Sequence, residues 1–394
     1  MNRLTMVCAA TLLSSVAFAQ AQDVLNIGAV VTTSGAGAAW GQAILHGAEL
    51  AAKDVNDAGG LKVGGKDYTV KIIPYDDKYQ AGEAVTAINR LAFQDKVKFV
   101  VGPVGSAPAL AIQPVTTRNQ MLMMTMAFSE KVLGPNFPYT FRANVTTVEF
   151  SQPQVNWLVK KFGIKKVGSL FPNDETGQQV AKDVEVAYGK AGVQLAGKEF
   201  YERERVDFIP LLTRILGAGA DAIELNINAP ASAGLIVKQA RELGFKGPIV
   251  RTGGPATQDI VNVASAAASE GMMVHSLVDP NMESSKVFIN KYRTAYGPAM
   301  NGFAPAFYDA TRMMFEAISR SGSISDTPKI ATELEKIADF PGASGHLSWG
   351  GKKTYGINHQ VDSPFYVAEV VSGVEVIRAR CSVSGGCVDA EVKD

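Results

Sequence analysis

VLNIGAVVTTSGAGAAWGQAILHGAELAAKDVNDAGG, residues 24–60, decides the fold. The run 24–31 is apolar, rich in β-branched residues and too short for an average helix, which predicts a buried strand. A polar, glycine-rich turn follows over 32–41 and carries Trp40. Beyond it Ile44, Ala48, Ala51 and Val55 recur at helical spacing, and Gly59 with Gly60 supplies a left-handed stop. Strand, glycine turn and helix make the first unit of a doubly wound α/β sheet, in which ligands sit at the carboxyl ends of the strands. That rule puts the turn with Trp40 on a ligand-facing edge.

Outward from this unit the pattern repeats. Residues 61–74 read as a hairpin turning at Gly64 and Gly65, with Tyr68, Val70 and Ile72 alternating on one face, before Asp76 and Asp77. A helix over 81–94, a buried strand over 97–101, a helix opening at Ser106 close to Pro108, and a strand over 121–126 come next. Unpaired N–H groups at that helix start are expected to face outward, ready for an anion. From residue 152 a second series runs: helix to 162, strand 166–171, helix 177–190, strand 193–200, helix 207–216, strand 222–227, helix 232–243 and strand 248–251. Two such series imply two α/β lobes. Three helical patterns without an intervening strand, over 286–296, 304–321 and 328–338, fit a return to cover the first lobe; the tail 346–377 is strand-like.

At 394 residues the chain is long for one compact core, and two domains are expected. Lys plus Arg at 38 against Asp plus Glu at 38 leaves no net charge and argues against a nucleic-acid partner. Residues 1–19 read as a secretory signal peptide, with Arg3, an apolar centre and the ending Ala17-Phe18-Ala19, so a periplasmic location is expected. Cys8 is a poor lipid-attachment site, since bulky Val7 precedes it and the apolar run continues past it. The mature chain keeps Cys381 and Cys387, which in an oxidising compartment point to a disulfide clip, two free thiols being the alternative. No His or further Cys lies near enough in sequence to complete a metal site there.

Catalytic constellations are weak. The run 35–40 nearly matches a dinucleotide fingerprint, but Trp40 stands where a third glycine would let the helix approach. Asp76 and Asp77, adjacent on a strand, point to opposite faces and are expected to cap the next helix and shape the loop. His46, His275, His346 and His359 lack metal spacing, and Gly105-Ser106-Ala107 lacks the second glycine of a nucleophile elbow. No enzyme activity, cofactor or metal is expected.

The run 34–60, with GPVGSAPA (102–109), YTFRAN (139–144) and EGMMV (270–274), resembles the branched-chain amino-acid type of periplasmic solute-binding protein over nearly the whole mature chain. The resemblance implies a type I periplasmic binding fold: α/β, two doubly wound, Rossmann-like lobes joined by a three-crossing hinge. Residues 23–141 plus 277–345 are expected in lobe 1 and 142–276 plus 346–394 in lobe 2, with crossings near 140–144, 272–277 and 340–346. Such a hinge suits closure around a ligand. By motif, Ser106 aligns with the family serine that hydrogen-bonds a ligand carboxylate, helix capping being its other use. Phe128 and Ser129 fall at the next contact loop, and Thr176 sits where many members carry Tyr. Trp40, at a frequent aromatic position, either stacks on the ligand or covers its loop. Asn228 ends one central strand; Arg251 and Gly253 end the next.

Amino-acid binders of the family place an acid near this RTGG stretch to pair with the ligand ammonium, whereas here Gly253 and Gly254 stand there. An amine-free aromatic or short aliphatic acid is therefore expected as ligand, unless Glu224 faces the cleft. The implied role is the solute-binding component of an ABC importer, a monomer that takes a small-molecule solute to an inner-membrane ABC permease. A ligand sensor of the same fold acting on a signalling partner is the alternative.

Overall fold

The computed structural model describes residues 22–35 and 37–390, so the expected signal peptide lies outside the described residues. In chain order, the first series holds β1 (Asp23–Val31), α1 (Ala38–Asp57), β2 (Leu61–Val63), β3 (Lys66–Asp76), α2 (Ala81–Phe93), β4 (Phe99–Val101), α3 (Ser106–Arg118), β5 (Leu122–Thr125) and β6 (Thr140–Arg142). The second holds α4 (Thr147–Phe162), β7 (Lys166–Pro172), α5 (Glu175–Lys190), β8 (Gln194–Tyr201), α6 (Ile209–Gly217), β9 (Ala222–Glu224), α7 (Pro230–Glu242), β10 (Ile249–Arg251), α8 (Thr257–Ala264), α9 (Ala266–Ser269) and β11 (Met273–Ser276). After these come α10 (Glu283–Tyr296), α11 (Phe303–Ser321), α12 (Thr327–Glu335), β12 (Phe340–Gly342), β13 (Gly345–Gly350), α13 (Lys352–Tyr355), β14 (Gln360–Asp362), β15 (Phe365–Val371), β16 (Val374–Ser382) and β17 (Gly386–Asp389).

These strands form two sheets, in the orders β12-β13-β14-β6-β5-β4-β1-β3-β2 and β17-β16-β15-β11-β10-β9-β7-β8. The centres of both are parallel, and the additions at the ends beyond β14 and beyond β11 are antiparallel. Parallel strands need helices on both faces, which is why β1 is buried from Ile27 to its end and why Ile44, Ala48 and Ala51 of α1 are buried against it. The start of α1 lies so close to the turn that a Cβ on Gly41 would fall 1.9 Å from the carbonyl oxygen of Thr32. The glycine after Trp40 is thus required by the packing of helix on turn.

The chain passes to the second sheet between β6 and β7, returns after β11, and passes again at 363–364, between β14 and β15. The third passage corrects the expectation of 340–346, and with it the assignment of 346–362 to the second lobe. Asp309, buried in α11, holds 343–344 to the first lobe by accepting the N–H groups of Ala343 (2.8 Å) and Ser344 (2.9 Å). Gln360 then pairs with Arg142 in the first sheet. Two other boundaries differ. The stretch expected as a crossing at 272–277 contains β11, inside the second sheet, and α4 starts at Thr147 rather than near 152. A capping box does this: the Thr146 side chain caps the N3 backbone while Glu149 accepts the Thr146 N–H at 2.8 Å.

Candidate functional site

The carboxyl ends of the two parallel sheets face each other, and the loops there hold one another. On the first lobe, Asp76 and Asp77 shape the loop after β3. Asp76 accepts the Thr33 N–H (2.9 Å) and the Ser34 hydroxyl (2.6 Å), and Asp77 accepts the Thr32 hydroxyl (2.6 Å), so the turns after β1 and β3 are knitted together. The same carboxylates accept the N–H groups of Lys78 and Tyr79, both 2.9 Å away, and so fix two consecutive left-handed residues, φ 50° and 62°. Neither caps α2, whose N-cap is Gln80. The result is to aim Tyr79 across the gap.

There Tyr79 meets the second lobe. Its hydroxyl is 3.2 Å from Thr176 Oγ1, and Arg203 donates to it at 3.1 Å while lying 4.1 Å over its ring. Burial pushes the Tyr79 phenol up to about 12, so it stays protonated. Thr176 Oγ1 also accepts the Ser106 N–H at 3.0 Å. Alongside, the Ser129 hydroxyl donates to Glu175 at 3.3 Å, Lys131 pairs with Glu175 at 2.9 Å, and Gln179 donates to Glu130 at 3.0 Å. Trp40 forms another strut: its indole N–H donates to the Pro255 carbonyl at 2.7 Å, with Phe303 edge-on behind it. The lobes are closed on each other.

The expected site residues divide into two groups. Trp40, Ser106, Phe128, Ser129 and Thr176 meet at the gap. Ser106 is not a helix cap, since α3 begins at Ser106 itself after Gly105 as N-cap. Its hydroxyl oxygen accepts the N–H groups of Phe128 (3.1 Å) and Ser129 (3.0 Å), tying α3 to the loop after β5 and leaving its own proton to donate. The first N–H of α3, expected to be free for an anion, is engaged by Thr176. Arg142, wholly buried next to the crossing, braces the same loop by donating to the carbonyls of Ala127 (3.3 Å) and Ser129 (3.1 Å).

Asn228 and Arg251, by contrast, are turned into their own lobe. Asn228 donates to the Leu170 carbonyl at 2.8 Å and accepts the Tyr201 hydroxyl. The Arg251 guanidinium donates to the carbonyls of Gly254 (2.7 Å), Leu225 (3.1 Å) and Asn228 (2.8 Å), stapling the loops after β9 and β10. Burial lowers its pKa to about 10, Tyr201 and Glu224 opposing the shift, and it remains a cation at neutral pH. Glu224 does not reach the gap: its oxygens accept the Tyr188 hydroxyl (3.0 Å) and the N–H groups of Asn226 (2.8 Å) and Thr252 (3.1 Å). Burial raises its pKa to about 7.

Gly253 sits at the gap, and the space in front of it is taken. A Cβ there would lie 2.5 Å from Asn226 Oδ1 and 2.8 Å from Phe150 Cζ. Phe150 in turn packs edge-on against Phe128 of the first lobe, ring centroids 6.2 Å apart, and lies 4.4 Å from His275. Sequence reasoning missed Phe150 as a site residue, and the Thr146-x-x-Glu149 box was the signal that places it in the first turn of α4, beside the crossing. Tyr79 and Arg203 were missed as well, because only the fold brings them together. Cys381 and Cys387 are bonded across the β16–β17 pair.

Residues 24–375 match the family model described as periplasmic binding protein. The Leu/Ile/Val-binding protein BraC3 of Rhizobium johnstonii is 24% identical over 343 residues, covering 86% of this chain and 92% of the relative. Among solved structures, the branched-chain amino-acid transporter substrate-binding protein LivJ of Streptococcus pneumoniae, in complex with isoleucine, superposes with TM-score 0.80 at 25% identity, covering 93% of this chain and all (100%) of that one. An ABC-transporter solute-binding protein of R. palustris in complex with benzoate gives TM-score 0.80 at 17% identity, covering 93% and 98%.

Proposed function

The chain belongs to the periplasmic binding protein family, of the branched-chain amino-acid type I kind, and from that premise we propose that in the periplasm it closes its lobes over a small, amine-free carboxylic acid and delivers it to an inner-membrane ABC permease. The observation that carries the choice of solute is the state of the second-lobe edge. Glu224 is engaged by Tyr188 and two backbone N–H groups, and Gly253 has no room for a side chain. An α-ammonium group enclosed there meets no negative charge, and an unpaired buried charge is costly. The Ser106 hydroxyl proton, held at the start of α3, is a donor for a carboxylate. Aromatic faces of Phe128 and Phe150 suit a flat or apolar body.

One observation favours a second reading. Asp77 is wholly buried just after β3, and its Oδ2 has no partner among the described residues, which would suit the ammonium of an amino acid such as those bound by the Leu/Ile/Val-binding relatives. A thermal-shift comparison separates the two, since a ligand that binds only the folded chain raises its melting temperature. Benzoate is expected to raise it and leucine to leave it unmoved; stabilisation by leucine alone would overturn the proposal in favour of Asp77.

A further inference from the structure

We propose that Phe150 and Asn226 set the class of solute: together they occupy the place from which an acid would meet an ammonium group, and Asn226 offers a hydrogen bond there to a hydroxyl on the body of an aromatic acid. The inference rests on the amine-free reading above. Asn226 is 0% and Phe150 1% exposed. Asn226 Nδ2 bonds Thr252 Oγ1 at 3.0 Å, while Oδ1, lying against the bare α-carbon of Gly253, has no partner among the described residues. Buried amide atoms are nearly always satisfied, so a lone one beside a binding gap marks where a ligand group belongs.

The chemistry of that group follows from the amide. The Thr252 hydroxyl both donates and accepts, so it serves Asn226 either way round, and the amide presents either its oxygen or its nitrogen to the gap. A solute hydroxyl, itself donor and acceptor, matches both, whereas an ammonium or a second carboxylate matches at most one. The imidazole beside this point is neutral. His275, its ring centroid 4.4 Å from that of Phe150 and its Nδ1 without a partner among the described residues, is held uncharged by burial and by Arg251, its pKa lowered to about 3. The rings of Phe150 and Phe128, one from each lobe, complete an aromatic wall beside the amide.

The test is isothermal titration of the wild-type mature protein and the Asn226→Leu variant with benzoate, 3-hydroxybenzoate, 4-hydroxybenzoate and leucine. One hydroxybenzoate is expected to bind the wild type at least about tenfold tighter than benzoate. In Asn226→Leu that ratio is expected to fall to about one. Benzoate binding without any gain from a hydroxyl, or a gain that survives Asn226→Leu, overturns the inference and leaves the amine-free reading standing. Binding of leucine but of no benzoate overturns that reading too. If Asn226→Leu does not fold, Asn226→Asp keeps the shape and adds a charge; it is expected to weaken all three acids, and unchanged affinity for them would contradict the inference.

Discussion

Ser106 shows how one side chain serves both structure and site. Among the described residues its oxygen is the one acceptor of the N–H groups of Phe128 and Ser129, so Ser106→Ala leaves two buried donors unpaired. A cost of about 1–3 kcal/mol is expected in chemical denaturation, together with weakened acid binding; an unchanged midpoint would contradict the role. Two buried titratable groups give a sharper check. Glu224, raised from 4.5 to about 7, binds a proton in the folded chain that it lacks when unfolded, so its contribution to stability is lost as pH rises from about 4.5 to 7. His275, lowered from 6.5 to about 3, acts in the opposite sense: its contribution is present above 6.5 and lost as pH falls to about 3. Between pH 4.5 and 6.5 the two slopes oppose each other. In denaturant titrations Glu224→Gln should therefore show stability rising with pH across that window, and His275→Gln stability falling; slopes of the same sign in both variants would refute the assignment. Little of this was legible in the sequence. Arg251 was expected at the ligand because it ends a central strand, but its direction depends on the carbonyls of Leu225 and Asn228, 23 or more residues earlier.

Elements were more legible than side-chain roles. The apolar run of β1, the helical spacing of α1 and the Gly64-Gly65 hairpin stand in the structure with ends moved by a few residues, because each is set by local pattern. What failed was non-local: Asp309 on α11 holds the β12–β13 turn, 34 and 35 residues further along, to the first lobe, so the chain does not cross there. One element that joins the lobes is the start of α5, where Thr176 accepts from Ser106 and pairs with Tyr79. Thr176→Val keeps the shape and removes both bonds, so stopped-flow release of a bound acid is expected to quicken several-fold while the helix content by circular dichroism stays the same. An unchanged release rate would mean that α5 does not latch the lobes. The β16–β17 clip is separate from this. Joining residues six apart, the Cys381–Cys387 bond is expected to contribute about 2 kcal/mol by loop entropy, read as a lowered midpoint in Cys381→Ser/Cys387→Ser. Acid affinity should not change, since the clip lies at the far edge of the second sheet.

For the molecule as a whole, two sheets facing each other by their carboxyl edges, connected by three passages, allow bending without separation. Struts such as Trp40 to Pro255 and Arg203 to Tyr79 exist only when the edges meet. A solute held between the edges adds contacts to the closed form alone, and that difference in affinity is what shifts the equilibrium. Small-angle X-ray scattering of the mature protein, with and without a saturating carboxylic acid shown to bind by titration, tests this most directly. The expected result is a smaller radius of gyration in the bound sample; an identical radius with the acid bound would contradict closure of the two lobes on their solute.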